Sequence, residues 1–152
     1  MKSDFPNCSQ FSPTQTPLPK LLEVVKLNQP NREKIKNVIG DTFFNTSSDK
    51  NISNNTIFAL SDYQLLDKPT DDLSYAKLTP LGESLYDLAR NEQFDEMYSL
   101  LAQHILLDLN GLELIQTVDD LVARGTKITK QTIAKELGYR GFHIPRNGTH
   151  LN

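Results

Sequence analysis

Three histidines and two groups of carboxylates are the residues with which this chain would do proton or metal chemistry: His104, His143 and His150, then Glu92/Asp95/Glu96 and Asp119/Asp120. Their spacing assembles no site. His104 falls beside Leu101 and Ile105 in a helical rhythm, so a satisfied or exposed helix histidine is expected and not a ligand. His143 and His150 lie in an irregular stretch with no matching cysteine or carboxylate cluster, so no metal site is expected. The carboxylates fall on polar helix faces, and Asp95 and Glu96 sit near a helix N-terminus, where negative charge is favourable. There is no glycine-rich phosphate loop, no G-x-S-x-G elbow and no Cys/His pair. Neither catalysis nor a cofactor is expected of these 152 residues.

What remains is the chemistry of recognition. The run Ser53-Asn54-Asn55-Thr56 is rich in hydrogen-bonding groups without charge. A carboxamide can make two bonds to the major-groove edge of adenine. Lys50, Lys68 and Lys77 lie within reach in sequence, with Ser61 and Gln64 further along. Asp62, Asp71 and Asp72 oppose them, because carboxylates repel phosphate. Positive charge is concentrated at the other end. Residues 125–152 hold Lys127, Lys130, Lys135, Arg140 and Arg146 against Glu136 alone, in a chain of net charge −3. A basic end on an acidic body argues against broad, non-specific nucleic-acid binding and for a localised contact.

The elements that would position these groups are mostly helical. Residues 1–17 are polar and proline-bearing and read as a flexible tail. A first helix is expected from Leu18, with Leu21, Leu22 and Val25 on one face, and a second in 31–44 with Ile35, Val38 and Ile39, ended or bent by Gly40. A third runs through NTIFALSDYQLL, with Ser53 or Asn54 as its cap and Ile57, Phe58, Leu60 and Leu65 available for burial. Two extended pieces, 64–66 and 74–78, flank the turn-forming DKPTDD and suggest a small hairpin. Thr79-Pro80 then opens a helix, hydroxyl cap first and proline at the first helical position. Its stripe is Leu81, Leu85 and Leu88. Two further helices follow, closed at Asn110-Gly111 and at Gly125, and Thr129 caps a last one, KQTIAKEL, expected to end at Gly138.

This order of three helices, hairpin and capped helix carries a resemblance. The phrase YAKLTPLGESL is similar to the second wing strand and following helix of winged helix-turn-helix domains of the MarR and PadR kind. The resemblance covers roughly residues 18–90 and implies a mainly α fold with a small β-hairpin wing. It further implies that the third helix enters the major groove of double-stranded DNA while the wing touches the backbone. Winged helices also serve as protein-interaction modules, so the fold alone does not decide function.

QTIAKELG in turn resembles the first helix of a helix-turn-helix, with small Ala134 where helices cross. The place for a reading helix holds Phe142-His143-Ile144-Pro145, and the residue before a proline is disfavoured in a helix. The next helix start is near Asn147 or Thr149, four residues from the end, which is the expectation for a piece of a longer polypeptide. Otherwise GFHIPRNGTHLN is a basic arm, with Lys130, Arg140 and Arg146 as phosphate contacts.

The sequence thus leads to a flexible tail over 1–17, a winged-helix domain over 18–91 and a helical region over 92–152. The expected function is DNA binding, as a transcription regulator or as the recognition module of a larger DNA-processing or defence protein such as a restriction endonuclease. The alternative is a protein-interaction or dimerisation module built on the long helices after Phe94. The expected partners are duplex DNA and a second copy or a further domain of the same polypeptide. No window is apolar enough for a membrane span and there is no apolar signal segment. With one cysteine, Cys8, and no disulfide, the expected compartment is the cytoplasm.

Overall fold

A computed structural model describes residues 3–6, 12, 14–44, 50–67 and 74–144. Its elements are α1 (Leu18–Asn28), α2 (Arg32–Ile39), a π-helical turn (Gly40–Phe44), α3 (Lys50–Asp62), α4 (Pro80–Arg90), α5 (Phe94–Leu107), α6 (Gly111–Ala123) and α7 (Lys130–Tyr139). The chain divides into two compact units, Cys8–Leu100 and Leu101–Asn152 together with Met1–Asn7. The division falls inside α5.

In the unit Cys8–Leu100, α1 packs on α2 and α4, and α2 packs on α3. Much of the core is where the apolar spacing predicts it, although Phe58 is exposed and Val38, Leu81 and Leu88 are half-buried. Leu21, Leu22 and Val25 of α1, Ile35 and Ile39 of α2, Ile57 and Leu60 of α3 and Leu85 of α4 are all fully buried. Each such side chain contributes about 1.5–3 kcal/mol by leaving water. Asn31 caps α2 by accepting from the Lys34 amide at 2.9 Å. Past Ile39 the chain widens into the π turn instead of stopping.

The expected hairpin wing does not form, and the winged-helix fold class is corrected accordingly. Among the described residues there is no β-strand, only the isolated antiparallel bridges Asn31↔Tyr75 and Leu66↔Leu78. The reason lies in where the backbone donors go. The amides of Leu65 and Leu66 both return to the Leu60 carbonyl, at 2.8 and 3.3 Å, closing the end of α3. The Leu65 carbonyl accepts from Thr79 at 3.0 Å, and the Ala76 amide donates to Pro30. Only the Asp67 amide is left to pair with Lys77, at 2.9 Å. The wing tip with Lys68 lies outside the described residues.

Thr79 and Pro80 open α4 as the sequence requires. The Thr79 hydroxyl accepts from the Gly82 amide at 3.1 Å and donates to the Gln64 carbonyl at 2.7 Å. Gly82 has no alternative, since a Cβ there would lie 2.3 Å from the Leu65 carbonyl oxygen.

In the second unit, α6 packs on α7. Thr129 and Thr132 form a reciprocal cap at the start of α7, and Leu137 is fully buried. The helix does not end at Gly138. It continues to Tyr139, and the left-handed residue that ends it is Gly141, at φ 93°. Gly111, expected to close α5, opens α6. Part of the expected tail is built into this unit. Phe5 is 8% exposed and its ring meets Phe142 at 5.5 Å, while the Asp4 amide donates to the His143 carbonyl at 3.0 Å. No helix among the described residues is long and apolar enough to cross a membrane.

Candidate nucleic-acid interface

α3 begins five residues before the stretch in which it was expected, and this decides which of its groups meet solvent. Ser53 and Thr56 were expected at the surface, one as a cap and both as contacts. They are 4% and 0% exposed, on the same face as Ile57 and Leu60. The Thr56 hydroxyl donates to the Ile52 carbonyl at 3.2 Å, the usual fate of a threonine inside a helix. Both are corrected from contact residues to core residues.

The opposite face carries the candidate site. With 100° per residue, Asn51, Asn54, Asn55, Phe58 and Asp62 fall on one side of α3. Asn51 and Asn55 are exposed, Asn54 and Asp62 are half-buried, and Phe58 is 49% exposed. Carboxamides and an aromatic ring therefore share one face, at spacings of three, four and seven residues.

Arg32 completes it. The first residue of α2 lies with its guanidinium carbon 5.0 Å from the centre of the Phe58 ring. Arg32 is only 9% exposed, and burial pushes its pKa below the ordinary value. Its side chain makes no hydrogen bond or ion pair among the described residues. Other cations of this unit differ. Lys36 is paired with Glu33, Lys20 with Glu23, and Lys26 with Glu83, whose carboxylate is held below its usual range mainly by the Lys26 hydrogen bond.

The periodicity made Phe58 available for burial, but it is 49% exposed, while Arg32 is 9% exposed. The signal was present, because Phe58 stands one residue from Ile57 and therefore 100° off the buried stripe. Only the contact with α2, distant in sequence, shows that Arg32 covers the ring.

The remaining expected contacts are scattered or already engaged. Lys50 is the first residue of α3, and Lys77 is exposed. In the other unit Lys130 is exposed at the start of α7. Arg140 donates to Asp120 and also lies 3.6 Å from Glu136, and the Asp120 bond raises its pKa above the ordinary value. It is a structural clamp between α6 and α7, not an available cation. Arg146, like the expected reading helix near Thr149, lies outside the described residues.

Of the histidines, His143 is half-buried and His150 lies outside the described residues. His104 is 7% exposed, with Nδ1 2.7 Å from Asp108 of the next helical turn. Among the described residues no group of His, Cys, Asp and Glu could hold a metal ion. Compared with family models, curated proteins and solved structures, the chain finds no match.

Proposed function

We propose that the unit Cys8–Leu100 binds double-stranded DNA with the solvent face of α3 against the base edges. The observation that carries this reading is the composition of that face. Asn51, Asn54 and Asn55 stand beside Phe58, and the chain's one buried, unmatched guanidinium among the described residues lies on that ring. Amides suit adenine edges, and a helix packed behind the reader is the usual way to hold it in a groove. The likeness of YAKLTPLGESL to DNA-binding regulators supports the same reading, and no strand wing is part of it. The module would serve a transcription regulator or a larger DNA-processing or defence protein. The test is enrichment from a randomised duplex pool. The wild-type chain enriches an adenine-containing site, and Asn55→Ala relaxes the preference at one position. A pool that stays random contradicts specific reading.

A second reading rests on a different helix. Leu112, Ile115 and Val122 of α6 are 49%, 50% and 60% exposed. At spacings of three and seven they make an apolar stripe of the kind that pairs with another helix. Self-association through α6 would make Ile115→Asp monomeric in sedimentation velocity while the wild type sediments as a dimer.

A further inference from the structure

A cation taken out of water without a carboxylate beside it is costly unless something else meets its charge. Arg32 is in that position. It is nine-tenths buried, with its guanidinium carbon 5.0 Å from the centre of the Phe58 ring, and without a hydrogen-bonding partner among the described residues. The ring face satisfies part of the charge. A ring face accepts no conventional hydrogen bond, so the guanidinium's five N–H donors are left without a protein acceptor among the described residues. None of these nitrogens is both sealed from solvent and unpaired, so the fork remains open to a ligand.

We propose that Arg32, held on Phe58, receives a phosphate group, and that in the DNA reading this is a backbone phosphodiester next to the bases faced by Asn54 and Asn55. This rests on the function proposed above. A fork of coplanar donors matches two phosphate oxygens, which a lysine ammonium does not. Asn55 and Asn54 precede Phe58 by three and four residues, so about one helical turn separates the phosphate contact from the amides. That division of labour, phosphate contacts fixing register and amides reading edges, is the general one in duplex recognition. The exposed Lys34, two residues from Arg32, adds diffuse positive charge, and Asp62, one turn beyond Phe58, limits the approach on the other side.

The experiment has two arms on the full chain. In the first, affinity for a mixed-sequence duplex is followed against salt for wild type, Arg32→Ala and Arg32→Lys, with circular dichroism confirming the fold of each. The slope of log affinity against log salt should fall by about 0.9 in Arg32→Ala. Arg32→Lys should keep the slope and lose affinity several-fold, and it carries this arm if the alanine variant does not fold. In the second, inorganic phosphate is titrated against the Arg32 Nε–Hε NMR signal of the wild type, with chloride at matched ionic strength as reference. A saturable shift with phosphate only is expected. Unchanged slope and affinity in both variants overturn the backbone contact, whatever phosphate does alone. A missing phosphate shift together with normal duplex binding by the variants overturns the site and leaves DNA reading standing. If the wild type ignores duplex but shifts with phosphate, the anion site stands and DNA reading falls; if it does neither, both fall.

Discussion

At the scale of single residues, the clearest constraints are steric and electrostatic. Gly82 is fixed by its distance to the Leu65 carbonyl, because any Cβ would enter its van der Waals shell. Gly82→Ala should therefore destabilise the first unit by about 1–3 kcal/mol, the range for forced overpacking, read as a lowered melting temperature. A wild-type melt would show that α4 shifts freely. Glu83 supports a pH prediction. Its carboxylate accepts from Lys26 and Gln29, and the Lys26 bond lowers its pKa from 4.5. A depressed folded value means the stabilisation is present above the ordinary carboxylate range and is lost as pH falls through the lowered value. Glu83→Gln should cost up to about 1 kcal/mol at neutral pH, since the pair is partly solvated, and the difference from wild type should vanish in acid. A difference independent of pH would assign the effect to packing.

At the scale of elements, starts were legible and some ends were not. Thr79-Pro80 and Thr129 announce their helices because a hydroxyl cap is a local signal. The start of α3 was hidden, since Ser53 and Asn54 look like caps in sequence and only packing against α2 draws the helix back to Lys50. The wing failed for a related reason. Residues 64–66 have strand-like side chains, but their amides complete the end of α3, a choice made by backbone geometry and invisible to periodicity. Gly138 was read as a stop and stands inside α7, with nothing within 4 Å of where a Cβ would be. Gly138→Ala should accordingly stabilise by about 0.5–1 kcal/mol, seen as a higher melting temperature. Destabilisation would show that the position meets a neighbour. Of the candidate site, Asn54 and Asn55 were legible from residue type alone. Phe58 and Arg32 were not, because their pairing joins residues 26 apart in sequence.

At the scale of the whole molecule, each unit has its own core, and each offers a surface of different chemistry. The first presents amides and an unmatched arginine. The second engages Arg140 and Arg124 with Asp120 and Glu136, and leaves an apolar stripe on α6. A buried hydroxyl in that unit, Thr117, has no hydrogen-bond partner among the described residues. Thr117→Val should thus leave stability unchanged or raise it by up to about 1 kcal/mol in denaturant unfolding, whereas a loss would mean the hydroxyl is satisfied after all.

The central claim is that α3 reads DNA. It is tested most directly by salt-titrated fluorescence anisotropy on the enriched duplex, comparing the wild-type chain with Asn54→Ala/Asn55→Ala. Binding by the wild type should weaken with salt, and the double variant should lose about 5- to 150-fold, the worth of one good amide–base pair, with the salt slope unchanged because amides release no counterions. Equal affinity of the two proteins, or no binding by the wild type at low salt, would contradict it.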